Sequence, residues 1–143
     1  MTANFKKATS SKPKNLHQNK GNRKLQTSSQ SINWVDEGFV TPIRDQGQCG
    51  SCWAFAASAA IESVVLIDGQ SSHYNKNNIH VSEQQQVDCV QTSYGCEGGW
   101  SEDGFAYSKQ VGITSGSSYP YNGQTNNCQR NGGTFKIYDY EHY

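Results

Sequence analysis

Gln46-Gly47-Gln48-Cys49-Gly50-Ser51-Cys52-Trp53-Ala54-Phe55 is the stretch on which the reading of this chain turns. It sets Cys52 where a glycine-rich loop becomes an alanine-rich apolar segment. The segment predicts a helix from about Ser51 or Cys52 to Ile67, stopped at Asp68-Gly69, because a glycine just past the last apolar residue is a common helix end. A thiol at a helix start faces the positive end of the helix dipole, which favours the thiolate, the form that attacks carbonyls. Trp53, Phe55, Ala56, Ala57, Ala59, Ala60, Ile61, Val64, Val65 and Leu66 cover most of the helix circumference. Such a helix is expected to be central and buried. Glu62 interrupts it and needs a partner, since an unpaired buried carboxylate is costly.

The 143 residues suit one ordinary domain plus a tail. Formal charge is zero, but residues 1–35 hold seven of the twelve basic residues and no acid. The lysines there are scattered, with no aromatic residues between them, so a solvated leader or pro-segment remnant is favoured over a nucleic-acid arm. Residues 1–31 are poor in large apolar groups and are expected to be a disordered basic leader, with a folded unit over residues 32–143. The apolar stretch from Ala54 to Ile67 is too short for a membrane span. No secretory signal is visible after Met1.

Beyond the first helix, residues 69–80 read as a polar surface loop. Ser82-Glu83-Gln84-Gln85 has the form of a capping box opening a short helix to about Cys89. Tyr94-Gly95-Cys96-Glu97-Gly98-Gly99 reads as a turn, and Ser101 as the cap of a third helix ending before Gly112. Turns and short extended pieces follow from Ile113. The five cysteines, Cys49, Cys52, Cys89, Cys96 and Cys128, fit two disulfides and one free thiol in a secreted or lysosomal protein. Spacing alone leaves their pairing open.

The segment from Gln46 to Phe55 resembles the nucleophile segment of papain-like, cathepsin-type cysteine proteases. The resemblance continues through Ser82-Glu83-Gln84, Asp88-Cys89, Tyr94 to Gly99 and Tyr119-Pro120-Tyr121, covering roughly residues 32–130. It implies an α+β fold: the papain-like left lobe, mainly α-helical around a central buried helix, without the second, β-barrel lobe. It implies that Cys52 is the nucleophile and that Gln46 contributes to an oxyanion hole with the Cys52 backbone N–H. It implies disulfides Cys49–Cys96 and Cys89–Cys128. Gly50, Trp53, Gly98, Gly99 and Trp100 become substrate-binding residues, Gly98 and Gly99 by leaving a backbone edge bare for an extended peptide. The implied substrate is a peptide or protein, and the implied setting lysosomal or secreted. No cofactor, metal, nucleic acid or membrane is called for.

The same resemblance places the catalytic histidine and asparagine about 130–150 residues beyond the cysteine, past Tyr143. His17, His73, His80 and His142 lack the family's sequence context. The expectation is therefore a partial chain, inactive alone, that carries one wall of a two-lobed cleft. A binding module, or one chain of a two-chain enzyme joined to a second-lobe chain, is the alternative. A thiol–disulfide oxidoreductase using Cys49-Gly50-Ser51-Cys52 is a third reading, opposed by the lack of a strand–helix pattern before the motif. A zinc site is weaker still, because the other cysteines form no second close pair.

Overall fold

A computed structural model of the chain describes residues 3–4, 31–69 and 73–142. Helix α1 spans Cys52–Asp68, α2 Glu83–Cys89 and α3 Ser101–Gln110. A single 3-10 turn, Gly95–Glu97, lies between α2 and α3. Strand β1, Ala3–Asn4, pairs antiparallel with β2, Glu141–His142. Isolated bridges join Val81 to Ser115 and Ile113 to Phe135. The expected leader otherwise lies outside the described residues.

Helix α1 ends as the sequence predicts. Gly69 takes a left-handed conformation (φ 60°), and its N–H bonds back to the Val65 carbonyl at 3.3 Å. One flank of α1 faces the main core: Ala57 and Ile61 pack with Ile79, Val81, Phe105, Ile113, Phe135 and Ile137. Trp53 and Ala54 form a second cluster with Val87 and Val90. Helix α1 is central, as expected, but its remaining flank is open. Cys52, Ala56 and Ala59 are exposed, and their spacing of four and three puts them on one stripe of the helix.

Glu62 has its partners. It is fully buried and accepts from the Thr41 hydroxyl at 2.6 Å, Arg44 Nη1 at 2.8 Å and the Val81 N–H at 2.8 Å. Arg44 also reaches Glu83 at 3.2 Å and the Ile79 carbonyl at 3.2 Å. One carboxylate thus ties the lead-in segment, α1 and the chain entering α2.

Helix α2 is the least predictable element, because its glutamines are interior. Gln84, Gln85 and Gln86 are all at most 1% exposed. Ser82 caps the helix, accepting from the Gln85 N–H at 3.0 Å. The reciprocal half of the capping box does not form, because the Gln85 side chain is engaged elsewhere. It accepts from the Thr114 N–H at 2.7 Å and donates to the carbonyls of Arg130 and Gly132, each at 2.9 Å. Gln84 binds the Asn122 N–H at 2.9 Å and the Gln124 carbonyl at 2.7 Å. A chain without regular structure from Thr114 to Gly132 needs such partners for its backbone, and α2 supplies them. Asp88 adds the Tyr119 hydroxyl and the Asn126 N–H, each at 2.8 Å. Burial raises the Tyr119 phenol above its ordinary value of 10.0; the Gln129 N–H opposes that, and the Asp88 hydrogen bond and charge reinforce it.

Helix α3 starts one residue from the sequence reading: Trp100, not Ser101, is the residue before its first turn. The Ser101 hydroxyl instead donates to the Trp53 carbonyl at 3.2 Å, fastening α3 to α1. Gly104 is the point of closest approach. A Cβ there would strike Gln86 Oε1 and come 2.8 Å from the Ala57 methyl. In an exposed helix Gly→Ala gains about 1 kcal/mol. Here Gly104→Ala is expected to lower stability by about 1–3 kcal/mol in urea unfolding through overpacking; a stabilised variant would show that α1, α2 and α3 are looser than described.

Candidate active site

Cys52 is the first residue of α1, and its thiol is free and exposed. The Ser51 carbonyl opens the helix by accepting from Ala54 and Phe55 N–H at 2.9 and 3.1 Å. Helix geometry leaves the Cys52 N–H without an intrahelical acceptor, pointing out of the helix end beside its own thiol. A ready donor therefore sits next to the Cys52 thiol because of where the helix starts.

The loop ahead of Cys52 is braced at each turn. Gln46 Nε2 donates to the Cys49 carbonyl at 2.9 Å, which fixes one amide hydrogen and thereby orients the other. Cys49 is disulfide-bonded to Cys96, and the Gly50 N–H donates to the Cys96 carbonyl at 2.8 Å. The second disulfide joins Cys89 to Cys128, holding the C-terminal segment to α2.

The glycine turn lies against α1 through Trp53. The Trp53 indole is buried and donates to the Gly95 carbonyl at 3.0 Å. Gly99 sits on it so closely that a Cβ would lie 2.9 Å from the ring and 2.5 Å from the Ser93 hydroxyl. The two glycines differ in what they offer. The Gly98 carbonyl accepts from the Tyr94 N–H at 2.8 Å. No hydrogen bond to another described residue engages the N–H or carbonyl of Gly99, or the N–H of Gly98, so Gly99 leaves both backbone groups bare and Gly98 its N–H. Ser93 fixes the next residue, accepting from the Trp100 N–H at 3.1 Å while donating to Asp103 at 2.6 Å.

Cys52, Trp53, Gly99 and Trp100 meet in one open concavity of about 360 Å³, which Ala56, Ser101, Glu102 and Phe105 complete. Trp53 contributes to its floor and Trp100, 58% exposed, stands at its side. Gln46, Gly50 and Gly98 lie outside that lining and adjoin it through the braced loop and turn. No sequence signal marked Ala56, Glu102 and Phe105 as lining residues, because their place depends on how α1 and α3 cross. Tyr121 stands in the sequence only as part of a motif; its contacts with the loop span 70 residues and more and have no local signature.

Among the described residues, no group of three or more His, Cys, Asp and Glu stands together as a metal site. No helix there is long and apolar enough to cross a membrane. His80 is engaged with Glu83 at 2.8 Å.

The sequence model described as papain family cysteine protease matches residues 28–143. The chain belongs to the papain family. Its relatives include a cathepsin L-like proteinase of Phaedon cochleariae, 45% identical over 105 residues, which are 71% of this chain and 30% of that protein. Mouse cathepsin K is 43% identical over 71% of this chain and 29% of its own length. The crystal structure of the Carica candamarcensis cysteine protease CMS1MS2 in complex with E-64 matches at TM-score 0.64 and 37% identity, covering 75% of this chain and 49% of that one. Digestive procathepsin L2 from Tenebrio molitor larval midgut matches at 0.63 and 44%, over 70% and 31%. The fold is that of the helical lobe of the papain family. The chain spans about three-tenths of the curated relatives' length.

Proposed function

We propose that this chain is the nucleophile-bearing lobe of a papain-type cysteine endopeptidase acting on peptides or proteins in a lysosomal or secreted setting. The observation that carries the reading is the exposed Cys52 thiol at the start of α1, beside an unengaged backbone donor and the fixed amide of Gln46. In this reading the Cys52 sulfur attacks the scissile carbonyl. The developing oxyanion meets the Cys52 N–H and the second Gln46 amide hydrogen. Donors placed where charge develops are worth about 3–4 kcal/mol each. An extended substrate pairs with the free N–H and carbonyl of Gly99, and its side chain lies against Trp100. Trp53 acts from beneath by holding Gly99 in place, and Gly50 by letting the loop close on Cys96.

The proton transfers require a histidine held by an asparagine, and the reading assigns neither to these 143 residues. Residues 1–31 act as a leader in this account, and 32–143 as the lobe. The exposed stripe of Cys52, Ala56 and Ala59, with the fully exposed Ile43 nearby in sequence, favours a second reading beside the first. On it the lobe works by docking, with a separate barrel-lobe chain as the partner covering these exposed apolar residues.

Peptide mapping after treatment with an epoxysuccinyl peptide tests the assignment of the nucleophile. The expected product carries the label on Cys52 alone, with the other four cysteines recovered in two disulfides. A Cys49–Cys52 disulfide in the native material would instead support thiol–disulfide exchange and overturn the reading.

A further inference from the structure

We infer that Tyr121 is a positioning residue for the oxyanion site, one phenol that sets the distance between its two donors. The inference rests on the assignment of Gln46 and the Cys52 N–H as those donors. The Tyr121 hydroxyl donates to the Gln46 carbonyl at 2.6 Å. Its oxygen lies 2.8 Å from the Ser51 hydroxyl. A carbonyl can only accept, so the phenol proton is committed to Gln46 and the Ser51 hydroxyl donates to the phenol oxygen. The Tyr121 ring stands edge-on to Phe55, with centroids 5.0 Å apart and planes at 88°, which aims the hydroxyl from a fixed base on α1.

The two bonded residues are the ends of the loop. Gln46 carries the side-chain donor. Ser51 immediately precedes Cys52, is fully buried, and supplies the carbonyl on which α1 begins. Other braces act inside the loop: the Gln46 amide on Cys49, and Cys49 and Gly50 on Cys96. Tyr121 alone among the described hydrogen bonds grips both ends at one atom. Tyr121 touches neither substrate nor thiol in this account, so its effect runs through Gln46 and Ser51. A donor displaced by a fraction of an ångström loses much of its worth to a transition state, whereas a reaction with no oxyanion is indifferent to it.

That difference supplies the test on the 143-residue chain. N-acetylglycine p-nitrophenyl ester acylates a thiolate through a tetrahedral oxyanion: the Cys52 sulfur forms a thioester, the ester C–O bond breaks, and p-nitrophenolate leaves with the electron pair. Iodoacetamide alkylates the same sulfur by displacing iodide, with no oxyanion. Both are run at about pH 9.5, above the ordinary thiol range, so that no catalytic base is needed. Gln46→Ala is expected to slow acylation about 10²-fold. Tyr121→Phe is expected to slow it about 10-fold and Ser51→Ala, which keeps the ring and removes one arm, about 3-fold. Alkylation should stay within about 2-fold for all three. The double variant Gln46→Ala/Tyr121→Phe should react about as slowly as Gln46→Ala, because residues acting as a unit are not additive. Unchanged acylation in Gln46→Ala overturns the oxyanion reading and the inference with it. Slowed Gln46→Ala beside unaffected Tyr121→Phe and Ser51→Ala overturns the inference alone. Equal losses in acylation and alkylation, or additive losses in the double variant, make Tyr121 merely structural and also overturn it.

Discussion

Glu62→Ala is expected to destabilise the lobe by about 2–4 kcal/mol, because buried donors left without an acceptor cost about 1–3 kcal/mol each. The substitution strands the Thr41 hydroxyl and the Val81 N–H, which now donate at 2.6 and 2.8 Å, and leaves the half-buried Arg44 guanidinium with Glu83 and the Ile79 carbonyl. It also releases the lead-in segment from α1. Domains are stable by only about 5–15 kcal/mol, so a large part of the total goes with one side chain. Glu62→Gln, which keeps an acceptor for the Thr41 hydroxyl or the Val81 N–H and removes the charge, should cost less. Urea midpoints of the two variants decide the matter; a loss under about 1 kcal/mol in Glu62→Ala would mean that water reaches this network.

Removing either disulfide is expected to cost about 4 kcal/mol in a chain-entropy account, since the bridges close spans of 47 and 39 residues. The two losses should differ in what else they change. Cys49→Ser/Cys96→Ser frees the loop that holds Gln46 and should slow ester acylation of Cys52 at least 10-fold. Cys89→Ser/Cys128→Ser loosens the segment on α2, away from the thiol, and should leave acylation nearly intact in the molecules that remain folded. Equal acylation rates in the two double variants would detach the Cys49–Cys96 bridge from the chemistry.

The contrast explains what was legible in the sequence. The α1 boundaries were legible because Gly69 and the apolar run are local signals. The need of Glu62 for a partner was legible from one charge in an apolar helix, but Arg44 and Thr41 were not, since nothing local marks them. The cysteine pairing is legible through the resemblance alone; spacing leaves it open. Helix α2 misleads any reading by polarity. Its three glutamines look solvent-facing, yet they are interior because the irregular chain from Thr114 to Gly132 needs their amides. The exposed flank of α1 is hidden from the sequence for the opposite reason. Alanines at 56 and 59 look like core, and periodicity cannot tell a face buried in this chain from one left open. At the site, Cys52, Gln46 and the glycine turn stood out as a motif, whereas Tyr121 acts from some 70 residues away.

The central claim of the proposed function is that Cys52 acts as the nucleophile, with Gln46 and its own N–H as oxyanion donors, and that no described residue serves it as a base. Its most direct test is the hydrolysis of a dipeptidyl amide at neutral pH by the purified chain and by its Cys52→Ser variant. An amide, unlike an activated ester, needs a proton donor for its leaving group, and the absence of a general acid–base typically costs about 10²–10⁴-fold. No turnover above that of Cys52→Ser is expected. Cys52-dependent turnover at the rate of an intact cathepsin would contradict it and show that a base lies within this chain.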